Sequence, residues 1–487
     1  MWFQSRKPKV ATTAPKPFDE LAAWIPPERL VTDQSELRAY ECDGFPLHKE
    51  RASAVVLSES RDEVIAVVRW CHANSIPFVP RGAGTGLSGG ATPVPGGVVI
   101  DLNRMRKIVK IDSENGYAVV EPGVVNINIT RAVEGCGLHY APDPSSQKAC
   151  TIGGNVAENA GGPHCLKYGM TTDHILGLEV VLPDGTPVHL GGPETTLGDF
   201  DLVGLFVGTE GTFGVVTEVT VKLLPTAPAV RTFLVIYEKM SEACNSVSEI
   251  TREGIVPAAL EILDELTVRA VEASVFAAGY PQNAGAVLLV EIDGFAAALD
   301  EQEAAIRDVA KRNHAIDFRV ATDEADRTQL WRGRKGAFGA LGRINTDLYI
   351  LDGVVPRTKL AKILEEIYDI AERHRITVTN VFHAGDGNLH PSICYDGRDK
   401  DERARVIEAG KEILRACVRE GGSISGEHGI GVEKMEFMPL LFSPEDLQLQ
   451  KDLRAAVDPR ALSNPGKLFP DARSCVEAGR KRHTVPL

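Results

Sequence analysis

The chain has nine cysteines and not one C-x-x-C pair. Cys42, Cys71, Cys136, Cys150, Cys165, Cys244, Cys394, Cys417 and Cys475 are scattered and odd in number. That spacing excludes a zinc ribbon and an ordinary four-cysteine iron–sulfur site, and it reads as the reduced thiols of a cytoplasmic protein. No apolar run approaches the length of a membrane span. Membrane contact is therefore expected only peripherally, at the inner face of the cytoplasmic membrane and through partners. A basic excess is missing too: 53 Lys and Arg stand against 67 Asp and Glu, for a net charge of −14. An acidic surface argues against nucleic-acid binding. The basic, proline-containing stretch Met1–Pro17 lacks the apolar segment of a secretory signal and is expected to be a disordered tail. There is no internal repeat.

What is present in abundance is glycine, concentrated in loops. Pro80-Arg81-Gly82-Ala83-Gly84-Thr85-Gly86-Leu87-Ser88-Gly89-Gly90 follows the apolar run Ile76–Val79 and precedes the strand-like Gly97–Leu102. Glycines at this density let backbone N–H groups turn inward around an anion, and a pyrophosphate suits them best. Gly84–Gly89 also fits G-x-G-x-x-G, but the prolines and glycines of residues 90–97 prevent the helix that a Rossmann site requires. Two further glycine regions follow, Thr151–Gly162 and Val207–Val216. Three such loops with Ser, Thr and Asn interleaved suggest a ligand as long as a dinucleotide.

A length of 487 residues predicts two or more domains. The pattern predicts a helical N-terminal region over Asp19–Leu37, interrupted by Pro26-Pro27, and a helix over Arg61–Asn74. Strands are expected at Ile108–Asp112, Tyr117–Glu121, Ile175–Leu182 and Val215–Leu224. Pro225–Pro228 marks a boundary. Beyond it, strands at Arg231–Tyr237 and Ala286–Ile292 alternate with amphipathic helices at Ala297–Asn313 and Thr358–His374, as in an α/β domain. The end, from Glu402, is mostly helical.

The second half carries the candidate chemistry. In His383-Ala384-Gly385-Asp386-Gly387-Asn388-Leu389-His390, the central Asp-Gly predicts a two-residue hairpin turn that sets residue 383 opposite 390. Ser425-Gly426-Glu427-His428-Gly429 adds a carboxylate and a third imidazole. Two histidines and a carboxylate suit Zn, Mn or Fe with positions left open for substrate. The alternative is a structural hairpin whose histidines bond locally. Arg334, flanked by Arg332 and Lys335 in Trp331-Arg332-Gly333-Arg334-Lys335, offers a guanidinium suited to a carboxylate, or else belongs to a solvated helix face.

Taken together, these motifs resemble the flavoprotein family of vanillyl-alcohol oxidase and p-cresol methylhydroxylase (PCMH), and within it the glycolate oxidase FAD subunits and D-lactate and D-2-hydroxyglutarate dehydrogenases. The resemblance covers nearly the whole chain after the tail. It implies an α+β protein: a tail and helical region (1–48), a two-part FAD-binding domain of PCMH type (49–228), an α/β cap domain for substrate (229–420) and a C-terminal segment (421–487) returning to the FAD domain. It implies non-covalent FAD, since the loop offers Leu87 and Ser88 where some members have a histidine. The residues expected to hold FAD are Pro80, Arg81, Gly82, Ala83, Gly84, Thr85, Gly86, Leu87, Ser88, Gly89, Pro142, Asp143, Thr151, Gly153, Gly154, Asn155, Ala157, Asn159, Gly161, Glu210, Gly211, Gly214, Val215, Val216 and Asn464. His383, His390 and Glu427 match the family's metal ligands, His428 its catalytic base, and Arg334 its substrate-carboxylate arginine.

The stretch Leu348–Asp352 lacks the lysine with which D-2-hydroxyglutarate enzymes meet a distal carboxylate. The implied substrate is therefore a small D-2-hydroxy acid, glycolate or D-lactate, with a D-2-hydroxyglutarate-type dehydrogenase as the alternative. FAD-like and iron–sulfur partner subunits are the implied route for electrons. Without flavin, the same histidines and glutamate would instead suit a metal-dependent hydrolase, and a non-catalytic FAD subunit is disfavoured because the His383/His390/Glu427/His428 set is intact.

Overall fold

The computed structural model describes residues 18–193 and 200–470. The Met1–Pro17 tail, Cys475 and the end of the C-terminal segment lie outside the described residues.

A four-stranded sheet comes first, in the order Leu30–Val31, Ala54–Leu57, Val98–Asp101, Phe78–Arg81. Its last three strands are parallel, because the helix Arg61–Asn74 carries the chain back across the sheet between Ala54–Leu57 and Phe78–Arg81. That helix starts where Ser60 Oγ accepts the Glu63 N–H and buries Val64, Val67, Val68, Trp70 and Cys71. Parallel strands present ligands at their carboxyl ends, and the glycine loop begins where Phe78–Arg81 ends. The region Asp19–Leu37 is not a regular helix. It forms the short 3₁₀ turns Asp19–Ala23, Pro27–Arg29 and Glu36–Tyr40 around the strand Leu30–Val31, since Pro26-Pro27 lacks donors and forces extended backbone before each ring.

A five-stranded antiparallel sheet follows, ordered Ile108–Asp112, Tyr117–Val120, Val215–Lys222, Ile175–Val181, Pro187–Gly191. The short helix Ile152–Glu158 buries Ile152 and Val156 in the same core as Val219 and Val221.

The third sheet has nine strands, and the strand–helix alternation of this region is real. The sheet pairs are antiparallel rather than parallel. Ala229–Tyr237 and Ala259–Asp264 run the same way, but Ala286–Gly294 inserts between them, antiparallel to both. Alternate residues of each strand feed two cores. Phe233, Val235, Leu288 and Val290 pack with the helices Met240–Arg252, Ala296–Arg312, Leu360–His374 and Lys400–Arg419. Leu234, Ile236, Val287 and Leu289 pack with Glu265–Glu272 and Glu324–Leu341.

After the helix Pro444–Val457 the chain returns to the first sheet, where Ser463 bridges Phe78. No helix among the described residues is long and apolar enough to cross a membrane.

Candidate active site

One cavity of about 390 Å³, within the range of small-molecule sites, joins the glycine loops to the cap. Its wall includes Pro80–Leu87, Thr151, Gly153, Gly154, Asn155, Ala157, Glu210, Gly211, Gly214 and Val216 at one end and His390, Glu427 and His428 at the other. The expected residues Ser88, Gly89, Pro142, Asp143, Asn159, Gly161, Val215, Asn464, His383 and Arg334 stand behind this wall rather than on it. Several of them shape it. Asn464 donates to the Gly90 and Glu210 carbonyls at 2.9 and 2.6 Å, tying two loops together. Pro142 accepts from Asn126 at 3.0 Å. Asp143 turns towards the cap, accepting from His164 at 2.9 Å and from Lys335 at 3.2 Å.

The loop end suits a dinucleotide. Gly84 has φ +68°, open to glycine without strain. A side chain at Gly82 would collide with Thr151 Oγ1, so only glycine permits these two segments to close on a ligand. The Thr151 hydroxyl is itself buried, on the cavity wall and without a partner, as expected of a group that awaits a ligand acceptor. Glu158, at the far end of the same helix and also on the cavity wall, has its carboxyl raised well above the usual range by burial, with Glu210 and Asp43 adding to the effect. That direction lessens the repulsion an anion would meet there.

At the other end the hairpin differs from expectation. His383 pairs with Asn388, not His390, and Gly387 occupies the left-handed region at φ +80°. The register is displaced by two residues, which preserves the sheet face. His390 is therefore the diagonal neighbour of His383, and the rings still meet at 5.0 Å, edge to face. Replacing Gly387 with alanine would strain the left-handed backbone by about 1–2 kcal/mol and push Cβ into the Val355 carbonyl. Chemical denaturation should show a loss of at least that size, together with slower chemistry. An unchanged midpoint would mean that the turn is not needed to hold the two rings.

His383 Nε2 and His390 Nε2 point at the same oxygen, Glu427 Oε1, at 3.2 and 3.0 Å. The donor atoms of the three residues lie within 4.8 Å of one another. The opposite ring nitrogens are held from behind, His383 Nδ1 by Glu261 at 2.7 Å and His390 Nδ1 by the Leu351 carbonyl at 3.2 Å. Such partners orient imidazoles as metal ligands. Asp352, His390 and His428 form an overlapping group, but Asp352 is already saturated. It accepts from Ser425 Oγ at 2.6 Å, from the N–H groups of Gly426, Glu427 and His428 at 3.0, 3.2 and 2.8 Å, and from Lys434 at 3.3 Å. Burial opposes its charge, yet cationic neighbours, Lys434 among them, hold the Asp352 carboxyl well below its usual range. His428 stacks on His390 at 4.9 Å, and its Nδ1 has no partner. Burial pushes the His428 imidazole down to about 4 despite the nearby Asp352 carboxylate, so it stays neutral.

Arg334 is fully buried on the helix Glu324–Leu341. Its Nε and Nη2 both reach Glu261 Oε2 at 2.6 Å, and Nη1 is unpartnered. Glu261 and Asp352 carry much of this geometry and were not singled out from the sequence. The signal was a carboxylate inside an apolar strand, Ala259-Leu260-Glu261-Ile262-Leu263, which is rare unless the charge is paired. Pro122, Glu158, Phe206, Phe338 and Ile350 also line the cavity and had no distinctive spacing.

A glycine-lined dinucleotide cradle that opens onto a cluster of histidines and a carboxylate is the site of a flavin-dependent oxidoreductase. The chain matches an FAD binding domain over residues 52–191 and the C-terminal domain of FAD linked oxidases over 226–468. It belongs to the FAD-linked oxidase family, and its cofactor is FAD. It is 46% identical over 452 residues to the glycolate oxidase subunit GlcD of Escherichia coli K12, covering 93% of this chain and 90% of that one. It is 33% identical over 469 residues to a D-lactate dehydrogenase of Anaerostipes hadrus, covering 94% and 98%. Its fold is that of a crystal structure of p-cresol methylhydroxylase with substrate bound, with TM-score 0.80 at 20% identity over 93% of this chain and 96% of the other. The hydrolase alternative, which required the loops to hold no flavin, falls with the family membership.

Proposed function

We propose that this protein oxidises a small D-2-hydroxy acid, glycolate or D-lactate, to the 2-oxo acid and passes the electrons to partner subunits or a quinone-linked acceptor. The observation that carries this reading is the single cavity that runs from the dinucleotide cradle to His390, Glu427 and His428. The named relatives, a glycolate oxidase subunit and a D-lactate dehydrogenase, support it. The word subunit in the first supports partner chains.

Bound FAD supplies the acceptor for the hydride equivalent leaving C2, and a divalent Zn, Mn or Fe held by His383, His390 and Glu427 supplies a Lewis acid. The chain's own residues do the rest. His428, neutral and on the cavity wall, takes the hydroxyl proton on its imidazole. Asp352, close by, stabilises the charge that His428 then carries. Glu261 keeps His383 turned towards Glu427. Arg334 Nη2 stands 3.4 Å from His383 Nδ1 and its Nη1 is unpartnered, so Arg334 backs the site with a positive charge that favours a substrate carboxylate. Ile350 and Phe338 give the substrate end an apolar stretch of wall, and the absence of a lysine from Leu348–Asp352 favours a short monocarboxylate over D-2-hydroxyglutarate.

The test is an anaerobic absorbance spectrum before and after each acid, repeated after dialysis against a chelator. Glycolate or D-lactate should bleach the flavin bands, and chelation should slow the bleaching until Zn, Mn or Fe is restored. Bands that bleach with D-2-hydroxyglutarate alone would move the substrate to the dicarboxylates. Bands that no 2-hydroxy acid bleaches would sink the reading.

A further inference from the structure

The helix Glu324–Leu341 presents two adjacent cations to the substrate end, and the fold treats them differently. Arg334 is spent largely on Glu261 and lies behind the cavity wall. Lys335 lies on the wall itself, one turn before Phe338, in the cavity shared by His390, Glu427 and His428. The other lysine or arginine on this wall among the described residues is Arg81, which is committed to the carbonyls of Ala91 and Cys42 at 3.1 and 3.0 Å in the glycine-loop end.

The Lys335 ammonium has a carboxylate partner, Asp143 Oδ2 at 3.2 Å. Three donors on the ammonium leave two for a ligand. The charge is not cancelled either. The other Asp143 oxygen is held by His164 at 2.9 Å. Burial works against a charge on His164, but Asp143 and Glu291 override it and raise the imidazole to about 10. Glu291 is met by Arg327 at 3.0 Å. Asp143 is thus shared between Lys335 and His164, and Glu291 between His164 and Arg327, so neither carboxylate is given over to one cation alone. The remaining neighbour of Arg327, Glu324, is solvent-exposed and screened.

We propose that Lys335 receives the carboxylate of the 2-hydroxy acid at the cavity face and so selects acids over uncharged alcohols. This rests on the proposed oxidation of such acids in this cavity. It adds a second cation to Arg334, on the cavity wall itself.

The experiment titrates FAD-loaded wild type, K335M, K335R and R334K with oxalate, a carboxylate that is not oxidised at C2, and follows the perturbation of the oxidised flavin spectrum. Parallel titrations use D-lactate and its methyl ester in anaerobic flavin reduction. In K335M the Kd for oxalate and D-lactate should rise about 10- to 100-fold, the preference for the acid over the ester should collapse, and K335R should recover most of it. FAD content reports folding, and K335Q carries the test if K335M loses flavin. Wild-type affinity for oxalate and an intact acid preference in K335M, with both lost only in R334K, would overturn the proposal. Oxalate binding does not depend on turnover. A wild type that binds oxalate through Lys335 but is reduced by no acid sinks the oxidation reading alone, and a wild type that does not bind oxalate overturns the role of Lys335.

Discussion

His428→Ala should slow reduction of the flavin by the 2-hydroxy acid about 10²- to 10⁴-fold, the usual contribution of a positioned base, while FAD stays bound. The reason lies in three features of one side chain. It lines the cavity beside His390 and Glu427. Burial keeps it neutral, so a lone pair is available across the physiological range. Asp352, whose carboxyl stays ionised, is close enough to favour the charge that proton uptake creates. Stopped-flow reduction under anaerobic conditions separates the substrate Kd from the limiting rate. The loss should fall on the rate, with Kd little changed, because the proton moves only during reaction. A variant reduced as fast as wild type would remove His428 from the chemistry.

The second large effect is expected at Asp352. Its side chain and that of Lys434 are both fully buried and 3.3 Å apart. Asp352→Ala takes from this ammonium one of its two buried carboxylates, leaving Glu433 at 3.6 Å, and breaking such a buried pair costs about 3–5 kcal/mol. It also deprives the N–H groups of Glu427 and His428 of their acceptor and leaves that of Gly426 with the backbone carbonyl alone. Those N–H groups fix the loop that presents Glu427 and His428, so flavin reduction should fall together with stability. Urea denaturation followed by tryptophan fluorescence measures the first loss and stopped-flow reduction the second. The double variant Asp352→Ala/Lys434→Met should be less destabilised than Asp352→Ala alone, since it removes a buried charge that has lost its nearer carboxylate. A single variant within about 1 kcal/mol of wild type, well below that expectation, would show that the loop is held by other contacts.

The sequence by itself determined the local elements and the chemical inventory. Arg61–Asn74 and Ile108–Asp112 have the boundaries their periodicity predicts, because helix caps and alternation act over a few residues. The density of glycine announced segments that pass closely, and at Gly82 the chain runs so near Thr151 Oγ1 that a Cβ would collide with it. His383, His390, Glu427 and His428 were legible as a set because motif spacing alone brought each pair near.

Only the tertiary structure decided how they meet. It moved the His383 partner from residue 390 to 388, a shift of two that short-range turn preference cannot resolve but that sheet-face parity tolerates. It set the strand order of the cap, inserting Ala286–Gly294 between two like-directed strands and antiparallel to both. It brought Glu261 and Asp352, each many residues from the histidines in sequence, behind the imidazoles and the Glu427 loop. It also placed Lys335, not Arg334, on the cavity wall. Neighbouring residues of a helix point about 100° apart, and which of them faces a ligand depends on what the helix packs against.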